Sequence, residues 1–432
     1  MPSSRPVAVV NLGCRVNRVE LDAIAASLEA AGCQLVGQDE AEAVVVNTCA
    51  VTGEAEAKAR KAVRHAALLP RHPLVVATGC VASLFSDELA ALAPKVLVEP
   101  DKTRVAGALL ASMGWDKAAA GTCSIRAQTD DPSAVVTVGD MASVTPTGRM
   151  RPGLKVQDGC DNRCTYCIVW KARGPARSVG FGEVLKGVRD LVARGAREVV
   201  LTGIDLGRYD SDGRDLAGLV SGLLEQTGVE RLRLSSVEPA GVTPRLLDVM
   251  AQSDGRVAPF LHIPLQAGCS SVLRRMGRPY DTDGYLSVVN AARARVDGLA
   301  LACDLIVGFP GETDEEFERG LAFCHEVGFA NMHVFRYSRR PGTPAASMPD
   351  QVLPEVSAAR AGLMRDACLE GRARYVASRV GSEELVLVER EGRGVSGGLV
   401  DVLVDDGLRG RLVRVTPHAT SGDFVLDARS AR

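Results

Sequence analysis

The chain has 432 residues, of which 46% are hydrophobic and 24% are charged, and its formal net charge is −2. At roughly 150 residues per domain the length favours about three domains, and the composition excludes a globally disordered chain. The balanced charge excludes nucleic-acid binding by the whole surface, so such binding would need a local basic patch. The apolar run at residues 7–10 is too short for a signal or membrane segment, and we expect a cytoplasmic protein with no membrane partner.

Residues 5–113 alternate short apolar runs with helical patterns. Predicted strands lie at residues 7–11, 43–47, 74–77 and 96–98. Helical periodicity covers residues 19–31 and 54–68. Continuous apolar runs suit a parallel sheet buried on both faces, and strands alternating with helices indicate βαβ units. We therefore predict an N-terminal open parallel α/β domain.

Residues 114–145 do not continue this alternation of apolar runs and helical patterns, and they are rich in Ala, Ser, Thr, Gly and Asp. Clusters of such residues between periodic segments are typical of connections. We predict a linker here, with a short strand around residues 134–138.

A second α/β series occupies residues 146–374. Its predicted strands lie at residues 154–157, 198–202, 231–235, 261–265, 299–307 and 332–337. Helical patterns separate these strands, and a long helix is predicted at residues 354–378. Six βα units in one series predict a central partial (β/α)6 barrel.

The tail, residues 375–432, has a different pattern. Its short predicted strands lie at residues 385–389, 399–404, 410–415 and 424–426, with Gly- and Asp-rich turns between them. Short strands at this spacing predict a small antiparallel β-barrel or sandwich.

The first chemical signal is a group of three cysteines, Cys160, Cys164 and Cys167, in one loop after a predicted strand. In a chain of this length without an export signal, clustered thiols indicate metal or cluster ligands more than disulfides. Three thiolates suit a [4Fe–4S] cube that keeps one iron open for a substrate such as S-adenosylmethionine (SAM). The alternatives are a zinc site with a distant fourth ligand and a chance grouping.

The second signal is spread over three predicted strands. Cys14, Cys49 and Cys80 each come just after the carboxyl end of an apolar run. Carboxyl ends of parallel strands meet along one edge of an open sheet, so three thiols placed there can converge on a second cluster. The alternative is three buried core cysteines.

These segments together resemble the radical-SAM methylthiotransferases over nearly the whole chain. The similar N-terminal motifs are Leu-Gly-Cys-Arg-Val-Asn at residues 12–17, Val-Asn-Thr-Cys-Ala-Val-Thr at residues 46–52 and Thr-Gly-Cys at residues 78–80. The cysteine loop at residues 157–168 and the following segment at 172–178 resemble the family's radical-SAM loop. Further similar motifs lie at residues 201–207, 235–239, 262–266, 304–313 and 340–345.

The resemblance implies two [4Fe–4S] clusters, on Cys160, Cys164 and Cys167 and on Cys14, Cys49 and Cys80, with SAM as cofactor. It identifies the tail as similar to a TRAM domain, the small β-barrel that contacts RNA in these enzymes. The implied partners are a tRNA anticodon stem-loop, an unidentified electron donor and a sulfur source.

The resemblance also implies roles for single residues of the barrel. It places Tyr166, Gly203, Ser235, Glu238 and Gln266 at the SAM site. It places Asp304 near the path of the radical, as a catalytic residue. For Ser and Asp the alternative is capping of the following helix, which both residue types do well.

Family members divide by substrate into enzymes for isopentenyl-adenosine in tRNA, for N6-threonylcarbamoyladenosine (t6A) in tRNA and for an aspartate of a ribosomal protein. The opening motif, residues 202–209 and residues 266–269 are most similar to the t6A branch. The chain departs from the usual pattern with Trp170-Lys171 in place of Pro-Tyr and with Arg336 in place of Pro. We expect t6A as the substrate, with the other two substrates, and a two-cluster electron carrier, as alternatives.

A local basic patch is predicted around the cysteine loop, as a contact for an RNA backbone. Its members are Arg149, Arg151, Lys155, Arg163, Lys171, Arg173 and Arg177. The tail has no excess of basic over acidic residues. RNA binding there would therefore depend on a few individual arginines, such as Arg390, Arg393, Arg409 and Arg411.

Overall fold

The computed structural model describes residues 5–115 and 149–430, which form two compact units. Unit 1 contains residues 5–115, Arg149, Asp158–Asp161 and Cys167–Val179. Unit 2 contains Met150–Gln157, Asn162–Tyr166 and residues 180–430. The strand predicted around residues 134–138 lies outside the described residues, and the predicted domain bounds stay predictions.

Unit 1 is built on a five-stranded parallel sheet in the order β2-β1-β3-β4-β5. Its strands are β1 (Pro6–Asn11), β2 (Gln34–Leu35), β3 (Ala43–Thr48), β4 (Leu74–Gly79) and β5 (Val96–Val98). Its helices are α1 (Arg15–Ala30), α2 (Gly53–Ala67), α3 (Cys80–Leu84), α4 (Ser86–Ala90) and α5 (Val105–Ser112). Every residue of β3 is buried, as expected of a parallel strand covered on both faces. The predicted N-terminal parallel α/β domain is confirmed.

Short elements follow between residues 149 and 180. They are β6 (Gly153–Lys155), β7 (Gln157–Asp158), α6 (Val169–Arg173) and β8 (Arg177–Ser178). Helix α6 belongs to unit 1 and packs on α3, and the buried side chain of Ile168, just before α6, joins the core around Cys80.

Unit 2 begins with a series of six parallel strands. The strands are β6, β9 (Glu198–Thr202), β12 (Arg231–Leu234), β13 (Phe260–His262), β14 (Ala300–Val307) and β15 (Asn331–Arg336). Ladders join β6-β9-β12 and β13-β14-β15, and parallel bridges at Leu232–Val257 and Ser236–His262 connect the two groups. A small hairpin, β10 (Asp210–Ser211) and β11 (Arg214–Asp215), follows β9. The series agrees with the predicted partial (β/α)6 barrel.

Helices follow each strand of this series. They are α7 (Phe181–Ala193), α8 (Leu216–Gln226), α9 (Pro244–Ala251), α10 (Ser270–Arg275), α11 (Thr282–Arg295), α12 (Asp314–Val327) and α13 (Pro354–Ser378). Their starts are encoded locally. Thr313 and Glu316 form a capping box at α12, and Asp215 caps α8 by accepting from the Gly218 amide. Among the described helices none is both long and apolar enough to span a bilayer.

The tail forms a six-stranded sheet in the order β19-β16-β17-β18-β21-β20. The strands are β16 (Glu384–Arg390), β17 (Arg393–Ser396), β18 (Asp401–Leu403), β19 (Leu412–Val415), β20 (Ala419–Thr420) and β21 (Val425–Asp427). All pairings are antiparallel except β18 with β21, which is parallel. A small C-terminal sheet is confirmed, and its closure into a barrel stays a prediction. Strands β17 and β20 were missed, because Gly394 and the shortness of both strands hide the alternating pattern. The parallel pair was missed too, since sequence patterns do not show pairing direction.

A buried ion cluster joins this sheet to the barrel inside unit 2. Glu198, the first residue of β9, accepts from Arg231 and Arg233 of β12 at 2.6 Å each. Arg231 also donates to the carbonyl oxygens of Leu385 and Val395, and Arg233 donates to that of Gly397 at 2.6 Å. Burial alone would raise the pKa of Glu198, but the charges of Arg233 and Arg231 lower it to about 2. The tail therefore packs at the amino ends of the barrel strands, which leaves their carboxyl ends for chemistry.

Candidate functional site

Three cysteines of unit 1 stand at the carboxyl ends of neighbouring strands. Cys14 precedes α1 beyond the end of β1, Cys49 directly follows β3, and Cys80 begins α3 directly after β4. The strands are adjacent and in register, with Asn11 opposite Asn47 and Thr48 opposite Gly79. The structure thus brings the three predicted thiols to one edge of the sheet.

Two glycines keep the backbone close at this edge. Gly79 has φ +93°, and a Cβ atom there would collide with the carbonyl oxygen of Thr48. A Cβ atom on Gly13 would collide with the side chain of Asn17. A side chain at either position would therefore displace the turn that presents Cys14 or Cys80.

Asn17 and its neighbours tie the strand ends together by hydrogen bonds. The Asn17 amide donates to the Thr48 carbonyl at 2.8 Å, and the Asn47 amide donates to the Asn17 carbonyl at 2.6 Å. The Thr48 hydroxyl donates to the Thr78 carbonyl at 2.6 Å. These bonds hold the loops that carry all three cysteines in one arrangement.

The thiols themselves are free and mostly buried. Cys49 and Cys80 are 5% and 4% exposed, while Cys14 is exposed. Burial raises the pKa of the Cys49 thiol to about 11, and interaction with Cys14 and Cys80 adds to that rise. The shared edge of the sheet and the adjacent strand ends carry the case that a common metal group could bind all three thiols.

Arg173 supplies a buried positive charge beside these thiols. Its guanidinium donates to both Glu20 oxygens at 2.9 and 3.1 Å, to Asp158 at 2.9 Å and to Asn17 at 2.5 Å. Although Cys14 is exposed as a residue, protein atoms around its sulfur exclude water and raise its pKa, and the charge of Arg173 counteracts part of that rise. Arg173 also interacts electrostatically with Cys80. A fixed cation here favours thiolates over thiols.

The second group of cysteines lies in the loop before α6. In unit 1, the Cys160 amide donates to the Gly174 carbonyl at 3.1 Å, and the Val169 amide donates to the Cys167 sulfur at 3.4 Å. Gly159 has φ +71°, and a Cβ atom there would collide with the Pro175 carbonyl oxygen. This turn therefore depends on glycine next to Cys160.

In unit 2, Arg278 contacts the remaining thiol of this group. Its guanidinium donates to the Cys164 sulfur at 3.1 Å and also bonds the Glu238 carboxylate. Burial raises the pKa of Glu238 to about 7, against the opposing charge of Arg278. Cys164 and Glu238, predicted for the cluster and for SAM, are thus linked by one arginine that the sequence analysis had not selected.

The other residues predicted for SAM lie at the carboxyl side of the barrel strands. Gly203 follows β9 and leaves no room for a Cβ atom beside Gln157. The Ser235 hydroxyl, after β12, is buried and has no hydrogen-bond partner in the part of the chain that the structure describes. Gln266 adopts φ +67° and pairs with β14 through Asp304 and Ile306. Tyr166 packs on the apolar cluster around Phe309.

Asp304 lies in the middle of β14, not at its end. One of its oxygens is 3.2 Å from Nε2 of His262, and its register partner on β15 is His333. Asp304 therefore lies within a strand of the barrel series, in a group of polar side chains with His262 and His333, and not in a loop after the strand.

Three of the seven residues of the predicted basic patch form ion pairs within the protein. Arg173 is 7% exposed, Arg177 pairs with Asp158 at 2.9 Å, and Arg151 pairs with Glu389 at 2.8 Å. The inclusion of Arg173 in an RNA-binding surface was wrong, because a buried guanidinium cannot reach a phosphate. In the tail, Arg390, Arg393, Arg409 and Arg411 are all exposed.

Two family profiles match the chain. The Radical SAM superfamily matches residues 154–324, which include the cysteine loop and most of the barrel series. The family described as Uncharacterized protein family UPF0004 matches residues 6–98, which carry Cys14, Cys49 and Cys80.

Curated relatives match most of the chain. The threonylcarbamoyladenosine tRNA methylthiotransferase MtaB of Bacillus subtilis is 36% identical, over 89% of this chain and 85% of the relative. The ribosomal protein uS12 methylthiotransferase RimO of Desulforudis audaxviator is also 36% identical, over the same shares. The tRNA-2-methylthio-N(6)-dimethylallyladenosine synthase of Novosphingobium aromaticivorans is 34% identical, over 90% of this chain and 88% of the relative.

The chain belongs to the radical SAM methylthiotransferase family. It is an enzyme, which removes the alternative of a pure electron carrier. The fold agrees with a solved structure of the radical S-adenosylmethionine methyltransferase TsrM from Kitasatospora setae, with TM-score 0.55 and 17% identity over 80% of this chain and 77% of that chain. At this identity the likeness concerns the fold alone.

A radical SAM fold implies SAM and a [4Fe–4S] cluster, and the methylthiotransferase contains residues that suit both. Cys164 receives a guanidinium hydrogen bond and Cys167 a backbone hydrogen bond, the donors that stabilise cluster thiolates. The partnerless, buried hydroxyl of Ser235 suits a polar ligand.

Sequence reasoning missed Asn17, Glu20 and Arg278, which surround the two thiol groups. Asn17 lies in the opening motif three residues after Cys14, so its motif position was a usable signal. Glu20 and Arg278 reach their partners only through tertiary contacts, and no spacing pattern in the sequence connects them.

Proposed function

We propose that this methylthiotransferase converts t6A in tRNA to 2-methylthio-t6A, with two [4Fe–4S] clusters and SAM. The observation that carries the proposal is the set of three thiols at adjacent strand ends, held beside a buried arginine. A radical SAM enzyme that only cleaved SAM would have no use for this second set.

Cys160, Cys164 and Cys167 are assigned to the radical cluster in this proposal. Their spacing in one short loop suits three ligands of a cubane with an open iron, and the donors from Arg278 and the Val169 amide suit its sulfurs. When bound, this cluster supplies the electron that cleaves SAM and so provides a carbon radical able to take an unactivated hydrogen.

Cys14, Cys49 and Cys80 are assigned to the second cluster. Soft thiolate ligands select iron–sulfur clusters, and the positive charge of Arg173 offsets the negative charge of such a group. The Gly13 and Gly79 turns allow backbone amides to approach it. The role of this site is to keep the sulfur that is transferred close to the substrate.

Polar residues at the barrel strand ends are assigned to SAM and to the radical path. Ser235 offers a hydroxyl that has no partner among the described residues, and Glu238 offers a half-buried carboxyl group, for the SAM ribose or amino group. Gly203 leaves no room for a side chain at the end of β9, and Gln266 presents its side chain from a left-handed backbone conformation. Tyr166 lies within the cysteine loop, directly before Cys167. Asp304 faces the inside of the barrel series from β14.

The choice of t6A rests on the opening Gly-Cys-Arg-Val-Asn motif and on relatives such as the B. subtilis enzyme, whose name specifies that substrate. Adenine C2 carries a hydrogen without useful acidity, which a base cannot remove and a radical can. The modified base lies in a single-stranded anticodon loop and can be splayed out of the stack. Exposed arginines of the tail sheet, such as Arg390 and Arg411, are available for the stem phosphates.

The experiment is a direct competition between substrates. Anaerobic enzyme with both clusters loaded, SAM and a reductant would be given tRNA containing t6A, tRNA containing isopentenyl-adenosine, or the ribosomal protein. Mass spectrometry of the nucleosides and of the protein should find the methylthio product on t6A alone. Product only on isopentenyl-adenosine or only on the ribosomal protein would refute the substrate while leaving the family membership intact.

A further inference from the structure

Three potential metal ligands meet inside the barrel series, apart from both cysteine groups. His262 ends β13, Asp304 lies in β14, and His333 lies in β15. One ligand atom from each residue lies within 4.8 Å of the other two. The closest pair, Nε2 of His262 and an oxygen of Asp304, is 3.2 Å apart.

Strand alternation explains why these three side chains share one face. In β14, the residues Leu301, Cys303, Leu305 and Val307 are at most 2% exposed, because their face packs on the helices. Asp304 and Ile306 point to the opposite face, towards the barrel interior. Register places His333 beside Asp304 and Phe335 beside Ile306, while His262 lies beside Ala302.

His262 is the buried member, and one of its nitrogens is held ready for a ligand. The residue is 8% exposed, and its Nδ1 lies 2.7 Å from the Ser236 hydroxyl. Its buried Nε2 makes no hydrogen bond within the described residues, although Asp304 is close. A hydrogen bond from Nδ1–H to Ser236 leaves a lone pair on Nε2, which is the arrangement typical of a metal-binding histidine.

The donor set suits one class of cation. Two imidazoles and one carboxylate are ligands for divalent transition metals, and three protein ligands leave an open position. Tetrahedral coordination with bonds of about 2.1 Å needs ligand atoms roughly 3.4 Å apart. The pair of His262 and Asp304 already meets this spacing, and the exposed side chain of His333 needs only a small movement.

We propose that His262, Asp304 and His333 form a binding site for one divalent transition-metal ion, with Ser236 orienting His262. The ion is separate from the iron of the clusters, and its open position faces the barrel interior, where Phe335 is partly exposed. The inference does not depend on which substrate the enzyme modifies.

The test counts zinc in the cluster-loaded enzyme. Wild-type protein and variants would be dialysed anaerobically against micromolar ZnCl₂, and zinc and iron would be measured in the same samples. Wild type should hold one zinc per chain more than His333→Ala, Asp304→Asn or His262→Ala. Ser236→Ala should keep the site but bind zinc ~10–100-fold more weakly, the usual effect of losing an outer partner of a metal ligand.

The matched control is His325→Ala. His325 is also a partly exposed histidine next to a carboxylate, with Nδ1 3.6 Å from Glu370, but it belongs to no three-ligand group among the described residues. It should retain the wild-type zinc count.

Unfilled cysteine sites would take up zinc equally in all variants, so the difference in zinc content between wild type and a variant reports on the barrel site alone. Because His333 is exposed, His333→Ala should fold even if His262→Ala does not. Equal zinc in wild type and His333→Ala would overturn the proposal.

Discussion

Arg278 is the residue that connects two predicted site residues, Cys164 and Glu238. Its guanidinium donates to the Cys164 sulfur and to the Glu238 carboxylate. The guanidinium also lies over the Tyr280 ring, with its Cζ atom 4.8 Å from the ring centroid. A permanent cation beside a cluster ligand stabilises the more negative, reduced state of the cluster. One buried side chain thus contacts both Cys164, the proposed iron ligand, and Glu238 of the proposed SAM site.

Arg278→Met should lower the midpoint potential of the radical cluster and slow SAM cleavage by ~10–100-fold, as expected for an outer partner of a metal ligand. Redox titration followed by electron paramagnetic resonance measures the potential, and 5′-deoxyadenosine formation measures cleavage. Arg278→Lys should recover part of both, because it keeps the charge. Arg274→Met, four residues earlier in the chain and exposed, is the control. An unchanged potential in folded Arg278→Met would contradict this role.

Gly79 is the residue on which the Cys80 turn depends. Gly79→Ala should reduce stability by about 1–3 kcal/mol and impair iron loading at the N-terminal cysteines, because φ +93° and the nearby Thr48 carbonyl leave no place for a methyl group. Denaturant unfolding and iron analysis measure the two effects. Gly107→Ala in α5, where a Cβ atom meets nothing within 4 Å, should be neutral or stabilising by ~0.5–1 kcal/mol. Equal effects at the two glycines would refute the argument.

At the scale of elements, the parallel sheet of unit 1 explains how distant cysteines meet. Cys14, Cys49 and Cys80 are far apart in sequence, but β1, β3 and β4 are adjacent and end at the same edge. Helix α6 then carries Arg173 to this edge from the segment after Cys167. Sheet topology, not sequence proximity, assembles the group.

The two cysteine groups should therefore be separable. Enzyme made without oxygen should hold about eight iron ions per chain, the number that two four-iron clusters require. Replacing Cys14, Cys49 and Cys80 by Ala should leave about half of the iron and preserve SAM cleavage, but abolish methylthio transfer. Replacing Cys160, Cys164 and Cys167 should leave the other half and abolish SAM cleavage. Loss of SAM cleavage in the first variant, with its remaining cluster loaded, would show that the roles are assigned wrongly.

At the scale of the whole molecule, unit 2 is held together by buried charge. Glu198 lies between Arg231 and Arg233, all three are at most 1% exposed, and both arginines reach carbonyl groups of the tail sheet. Removing one member of such a cluster leaves the others buried without compensation. The buried part of the contact between the barrel and the tail sheet therefore depends on the Glu198 carboxylate at the start of β9.

Glu198→Gln should lower the free energy of unfolding by about 3–5 kcal/mol, the usual cost of breaking a buried ion pair. The folded pKa of about 2 lies below the unfolded value near 4.3, so this stabilisation is present above that unfolded value and is lost as the pH falls towards 2. Urea unfolding at neutral and acidic pH measures both effects. Glu230→Gln, which breaks the exposed pair with Arg197, is the control and should cost less than ~1 kcal/mol. A pH dependence that is the same in wild type and Glu198→Gln would contradict the assignment.

The sequence by itself determined the type of the long helices and strands, the strand-end position of Cys14, Cys49 and Cys80, and the family. Apolar runs such as residues 43–47 and the capping residues Thr313 and Asp215 act locally, so their effect is visible in a linear pattern. The spacing of Cys160, Cys164 and Cys167 is visible in the same way, because the three cysteines lie within eight residues of one loop.

Only the tertiary structure decided which polar side chains meet. Arg173 had the pattern of a surface RNA contact, yet burial with Glu20 and Asp158 turned it into an internal cation. The group of His262, Asp304 and His333 arises from the register of three strands, and the parallel pairing of β18 with β21 arises from the order of the tail sheet. The physical reason is that the burial of a side chain and its ion-pair partners are set by residues distant in sequence. The free energy of a charged group depends on its burial and on these partners, so a local sequence pattern does not show it.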